Sequence, residues 1–312
     1  IVLGTLNPTH LLDGRMDVRR DLAEAAIGRL GERLGLGVME TAEGILAVVT
    51  ANMARAIRVI SVQRGHDPRD YALMAFGGAG PLHAARLARE LDMTRVLIPR
   101  SPGILCAMGL LLTDMRADFA ATKLLPATAA SAEAAEAALA PVVAEAEAWF
   151  AREGVAPEAR RMTRTVDMRY QGQNYELAVA APPGPITPES VATLVAGFEA
   201  AHRQRYGFVA EGEEIDFVTF RVEALGLVRK AQFPERPLGP DDPLPARIGE
   251  RPVWFPEAGG YAETPVYARD RLTPGMRIEG PAIVEQMDTT TVCPPGARLR
   301  VDPIDNLVME LA

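Results

Sequence analysis

Phe76-Gly-Gly-Ala-Gly-Pro-Leu-His83 is the stretch on which the reading of this chain turns. Glycine tolerates positive φ and presents no β-carbon to a ligand. The apolar run Tyr71-Ala-Leu-Met-Ala-Phe76 just before it predicts a short buried strand. Pro81 suits the first position of a helix, where a missing N–H does no harm, and the pattern carries that helix to Leu91. Arg95-Val-Leu-Ile98 predicts the next strand, so strand, turn, helix and strand imply a parallel crossover. A helix opening at Pro81 aims free N–H groups and its positive end at the turn, where an anion such as a phosphate is favoured. The turn is neither a P-loop nor a GxGxxG fingerprint. On spacing alone, a tight connection between strand and helix is its commoner meaning.

Upstream, Asp17 to Leu34 has the apolar spacing of a helix with Asp17 as N-cap. Glu40 to Arg64 predicts a longer one, stopped by Gly65. Downstream, Pro99 to Pro102 breaks the chain, Ile104 to Leu112 reads as a short buried helix, and Asp114 to Thr122 as a strand. Pro126 to Gly154 is Ala/Glu-rich and helical. Thr163 to Tyr170 and Gln173 to Val179 alternate about Gln171-Gly172 as a hairpin. Pro188 to Tyr206 predicts a helix and Phe217 to Val228 a strand. Ala231 to Pro245 is a linker rich in Pro, Asp and Gly, and Arg251 to Leu311 short strands between Pro/Gly turns. Three segments result: 1–125, 126–230 and a β-rich module over 231–312.

Charge shifts along the chain. Residues 1–125 hold 15 Lys/Arg and 13 Asp/Glu, a net of +2; the remaining 18 against 28 give −10. No basic surface of the kind nucleic acid requires is present, so nucleic acid is not expected as a partner. Two cysteines without a CxxC or Cys/His pattern point to no zinc site and to a reducing, cytoplasmic setting. The apolar run Gly103–Leu112 is about half the ~20 residues a bilayer demands, so no membrane span is expected. The chain opens at Ile1, in an apolar stretch, and reads like the middle of a domain.

Ordered segments along nearly the whole chain resemble the hydantoinase A / 5-oxoprolinase family. They include Gly44 to Arg58, Arg64-Gly-His-Asp-Pro-Arg-Asp70, Phe76 to Ala84, and Val96-Leu-Ile-Pro99 with Pro102-Gly103. They continue in Met168-Arg-Tyr-Gln-Gly-Gln-Asn-Tyr-Glu-Leu177, Glu263 to Tyr267, Gly280 to Glu285 and Asp305-Asn-Leu307. The acetone carboxylase subunit shares much of this pattern. The resemblance implies an α/β chain: part of an actin-like (ribonuclease H-like) ATPase lobe, then an α/β region and a β-rich C-terminal module. It also implies ATP, with Mg²⁺, coupled to opening of a cyclic amide or imide such as a hydantoin or 5-oxoproline. A hydantoinase B-like subunit or domain is the implied partner, in an oligomer. Gly77, Gly78, Ala79 and Gly80 match the family's later nucleotide loop. The N-terminal phosphate loop is not among these residues, so the chain by itself is expected not to turn over. A carboxylase subunit and a non-catalytic assembly module remain the alternatives.

Further candidates are weighed residue by residue. Asn52 and Arg55, with Arg58, lie on the helix before the Gly-rich strand and by superfamily analogy line the nucleotide cleft; a solvated face is the alternative. His83, in the first turn of the anion-binding helix, is placed to hydrogen-bond a ligand as a neutral ring, or to pack as a core histidine. His10, His66 and His202 have no partners in ligand register, so no metal is assigned. Cys106 reads as a buried, inert thiol and Cys293 as a loop thiol without a nearby histidine. No catalytic residue is assigned.

Overall fold

The computed structural model describes residues 1–311 and divides into two compact units: Ile1–Leu111 with Gln232–Ala312, and Leu112–Ala231. The fold is mixed α/β. The composition change at 125/126 is therefore not where the units part, because 115–126 form a strand of the second unit. Nor does the β-rich end stand alone: the C-terminal strand pairs with one that follows the Gly-rich turn.

In the first unit, β1 (His10–Leu11) and β2 (Met16–Asp17) make a small hairpin. Asp17 is thereby engaged in β2, so α1 (Arg20–Leu34) starts after it with Arg19 at its N-cap. α2 (Val38–Ile60) runs into a 3₁₀ turn, Val62–Arg64, and the chain stops at Gly65 with φ of 83°, as its sequence implies. By length and composition Val38–Arg64 could cross a bilayer. In the fold it buries Thr41, Ala42, Thr50 and Ala54, packs against its neighbouring helices, and leaves Val48, Val59 and Ile60 exposed.

β3 (Leu73–Met74), α3 (Gly80–Glu90) and β4 (Arg95–Ile98) form the expected crossover, with β3 and β4 parallel. β3 is shorter and more exposed than the sequence suggests. It is the edge of its sheet, with Met74 and Phe76 about half exposed. An apolar run reports that a face wants covering; it does not say that an edge position will cover it. The same correction applies to α4 (Leu105–Leu112), which is apolar on every side yet buries none of its residues, and whose Cys106 is exposed.

The second unit has one antiparallel sheet, ordered β5 (Met115–Pro126), β8 (Ile215–Gly226), β6 (Arg160–Tyr170), β7 (Leu177–Ala180). α5 (Ala132–Arg152) and α6 (Pro188–Tyr206) contribute to its core through Leu139, Phe150, Leu194 and Phe198. β6 and β7 are the hairpin expected about Gln171-Gly172. His202 is buried among Tyr170, Phe198 and Phe208, with Nδ1 2.8 Å from the Phe208 carbonyl, which is a packing role.

The chain then returns to the first unit. β9 (Arg247–Phe255), β10 (Gly260–Ala268), β12 (Ala282–Gln286) and β13 (Thr289–Cys293) build a four-stranded sheet. β11 (Arg277–Glu279), β14 (Arg298–Val301) and β15 (Leu307–Glu310) complete the other sheet in the order β11-β14-β15-β4-β3. Ile98, Leu299, Leu307 and Met309 are almost wholly buried there, each contributing about 1.5–3 kcal/mol of burial. That core fixes the carboxyl ends of β3 and β4, where the Gly-rich turn sits.

Candidate functional site

The Gly-rich turn is built and then fastened. Ala75 still donates to the Leu97 carbonyl, at 2.8 Å, so the strand pairing reaches the turn. Gly77 takes φ of +81°, which favours glycine, and donates to the Pro102 carbonyl at 2.7 Å. α3 opens at Gly80 with Pro81 in its first turn. No side chain caps that N-terminus among the described residues. Its first N–H groups and its dipole thus face the turn.

The tight connection between β12 and β13, Met287-Asp288, holds this arrangement from the side. Thr289 Oγ1 donates to the Gly78 carbonyl at 2.8 Å. Asp288 Oδ2 accepts from the Gly103 N–H at 2.9 Å. Gln286 Nε2 donates to the Arg100 carbonyl at 3.0 Å. Gly103 has no space for a side chain: a β-carbon there would stand 2.2 Å from the Asp288 carboxylate.

Opposite the turn stands the β1–β2 hairpin, and the two walls enclose a cleft of about 300 Å³. Its lining combines Gly78, Ala79 and Leu82 with Asn7, His10 and Leu12 on the hairpin side, and with Asp288 on the connection. The hairpin stem is anchored. Val2 and Leu3 are buried, and Leu3 accepts from the Trp254 N–H at 2.8 Å. Arg251 donates to the carbonyls of Gly4 (2.7 Å) and Thr5 (3.0 Å) and to Glu285 (2.5 Å), tying the stem to the rim of the cleft. Beyond the stem, Asn7 Oδ1 accepts from the N–H groups of Thr9 and His10, at 3.0 and 3.2 Å, forming a side-chain turn. At the tip Leu12, Asp13 and Gly14 are all left-handed, with φ of 53°, 53° and 82°.

The candidates from sequence separate. Gly78 and Ala79 line the cleft, and Gly77 and Gly80 frame the turn. His83 does not reach it. Its side chain lines a second cavity of about 20 Å³ beside Arg86 and Trp254, on the other side of Leu82. Nδ1 is buried there without a hydrogen-bond partner among the described residues. Burial first, and then the Arg86 cation, hold the His83 imidazole below its ordinary range. Asn52 and Arg55 are exposed on α2 and line none of these cavities. One turn of helix along, i to i+3, places both on the same outer face. Cys293 is buried at the end of β13, its thiol pushed up to about 12 by desolvation, so it is inert. The hairpin and the 286–289 connection were not singled out from sequence. Asn7-Pro8 and Asp13-Gly14 were the signals available.

Mg²⁺ finds no dedicated cage: among the described residues no three His, Cys, Asp or Glu side chains converge.

Comparison with known proteins gives a consistent answer. The family described as Hydantoinase/oxoprolinase matches residues 1–119, and its C-terminal domain matches residues 125–309. An uncharacterized protein of Methanocaldococcus jannaschii is 37% identical over 99% of this chain and 43% of its own length. The caprolactamase alpha subunit of Pseudomonas jessenii is 31% identical over 97% of this chain and 44% of its own. The nucleotide-free structure of acetone carboxylase, from work on ATP-dependent acetone carboxylation, superimposes with a TM-score of 0.89. It is 22% identical, over 100% of this chain and 45% of that one, a likeness of fold. This chain therefore spans less than half the length of the relatives it matches.

Proposed function

We infer that this chain, which belongs to the hydantoinase/oxoprolinase family, forms one wall of an ATP site in an enzyme that opens cyclic amides. The observation that carries the reading is the Gly77–Gly80 turn. It joins a strand end to an uncapped helix N-terminus and opens on a concave cleft. Such a terminus offers backbone N–H groups and a positive dipole to a phosphate oxygen. The lobe carrying it is proposed to be actin-like, with the opposing phosphate loop outside these 312 residues.

The chemistry explains why ATP is coupled to the reaction. A ring amide is stabilised by resonance and resists water. Transfer of a phosphoryl group to its oxygen makes that oxygen a leaving group and exposes the carbon to attack. The chain's part is to hold the phosphate chain by backbone N–H groups and stabilise charge without supplying a nucleophile. Phosphoryl transfer needs clamps at both ends of the phosphate chain. This chain alone is accordingly expected to release no phosphate from ATP. The full-length cytoplasmic protein is expected to act beside a hydantoinase B-like polypeptide.

The acetophenone carboxylase gamma subunit of Aromatoleum aromaticum, 31% identical over 99% of this chain, supports a second reading, in which the activated oxygen belongs to a ketone and the product is carboxylated. Assays of the full-length protein with a lactam or hydantoin, against a ketone with bicarbonate, separate the two.

Gly78→Ala tests the ATP site itself. Gly78 lacks positive φ, and a β-carbon there would stand 3.4 Å from the Asp288 carbonyl, an ordinary contact. The fold should tolerate it, while close backbone approach by a ligand is blocked. We expect ATP affinity, measured by calorimetry on the full-length protein, to fall at least about tenfold, on the order of 1.4 kcal/mol. The melting temperature should not change. Unchanged affinity would remove the turn from the site and leave a non-catalytic assembly role.

A further inference from the structure

The five-stranded sheet of the first unit ends at β3, and that end is open. β3 runs parallel to β4, with Leu73 opposite Val96 and Met74 opposite Leu97. The Ala75 N–H points to the Leu97 carbonyl. Successive residues of a strand turn their backbone groups to opposite edges, so the N–H and C=O of Met74 face away from β4. No strand lies on that side among the described residues. Proteins that leave such an edge in solvent guard it with lysine, proline or a bulge, because it pairs readily with other chains. β3 has no such guard: Tyr71-Ala-Leu-Met-Ala-Phe76 carries neither charge nor proline, and its pairing with β4 is in even register. The face of the sheet is bare at the same end. Leu73 packs into the core shared with α2 and α3, so Met74 turns to the opposite face, where it is 49% exposed. Leu97 and Val308, beside Met74 in one cross-strand row, are only partly covered. Parallel strands are ordinarily buried on both faces.

The proteins this chain matches are more than twice its length: it covers 43% and 44% of two relatives and 45% of the acetone carboxylase chain. We propose that β3 is an interior strand of the full-length protein. Its open edge pairs with a strand from the part of the same polypeptide outside these 312 residues, and apolar side chains of that part cover Met74. An occupant from the same polypeptide fits an unguarded edge. A second copy or a separate polypeptide would leave β3 bare until assembly, which is the hazard that edge guards exist to prevent. The inference does not depend on what the Gly77–Gly80 turn binds.

Hydrogen exchange on the purified full-length protein reads the edge directly, by mass spectrometry with fragmentation fine enough to isolate Met74. We expect the Met74 N–H to exchange at least about a hundredfold more slowly than an unpaired amide. The rate should be the same in dilute and concentrated protein, with no other polypeptide present. Met74→Lys reads the face. On the surface described here a lysine would reach water and cost little. Under a covering element its charge is desolvated, and the melting temperature of the full-length protein should fall by about 4 °C or more. If that variant does not fold, exchange in the wild type still decides. Exchange at Met74 as fast as in an unpaired amide overturns the proposal. So does protection that appears only as concentration rises, which gives the edge to a second copy. Protection that needs an added subunit gives it to that subunit and overturns the proposal too, as does a Met74→Lys protein that melts with the wild type.

Discussion

The two walls of the cleft are built in opposite ways. The Gly77–Gly80 turn is held by backbone from the 102–103 segment and by the Thr289 side chain, with strand pairing beneath it. The β1–β2 hairpin is held at its stem by Arg251 and Trp254, and above that by its own residues, Asn7 chief among them. The first wall presents backbone at a fixed position, which suits a phosphate. The second presents side chains on an exposed loop, which can adapt to what it meets.

The stem is where this contrast breaks most visibly. Gly4 has φ of +77°, and a β-carbon there would lie 2.4 Å from the Pro252 carbonyl oxygen. Gly4→Ala should cost about 2–4 kcal/mol through combined strain and collision, read as a lowered urea midpoint. Gly14, at the tip, has φ of +82° but nothing within 4 Å of a built β-carbon. Gly14→Ala should cost only about 1 kcal/mol. Equal losses at both positions would mean that the tip is as firmly built as the stem.

Sequence made the first wall legible and left the second obscure, for a physical reason. Local signals sufficed for the turn: an apolar run, glycines, and a proline at a helix start. The parallel pairing of Leu73 with Val96 followed from them. The hairpin faces the turn only because Leu3 pairs with Trp254 and Arg251 reaches Gly4 and Thr5, across nearly 250 residues of chain. No local pattern encodes that. Superfamily analogy put Asn52 and Arg55 at the cleft, and a solvated face was the alternative. Which side of α2 is covered depends on packing, and α2 buries Thr50 and Ala54 instead. Leu105–Leu112 failed similarly, since apolar composition is not itself burial.

Smaller effects sharpen the comparison. Thr289→Val removes the bond to the Gly78 carbonyl while keeping the volume, and should cost about 1 kcal/mol. Its signature should be faster amide exchange around Gly78–Gly80 with the hairpin unaltered. Asn7→Ala should do the reverse, exposing the N–H groups of Thr9 and His10 at about 0.5–1 kcal/mol locally. Loss of protection at both walls in either variant would show that they move as one body.

The smallest effect tests whether His83, which its sequence position allows either to meet the ligand or to pack in the core, is a packing residue behind the cleft. Burial and the Arg86 cation lower its proton affinity in the folded state, so the unfolded chain binds the proton more readily. The sign follows from linkage: where the unfolded state holds more protons, stability rises with pH. Stability should therefore drop as pH falls through the usual histidine range near ~6.5, and level off below the lowered folded value. Asp67, which Arg69 holds at about 2, titrates far below this window and does not blur it. Arg86 itself is tied to Glu43 by two hydrogen bonds, 2.7 and 2.9 Å. The ring is only partly buried, so the change in melting temperature between pH 7.5 and pH 5 should be no more than about a few degrees. His83→Gln should flatten that slope and leave ATP affinity at pH 7.5 unchanged. A variant that keeps the slope but binds ATP several times more weakly would return His83 to the ligand and make its cavity part of the cleft.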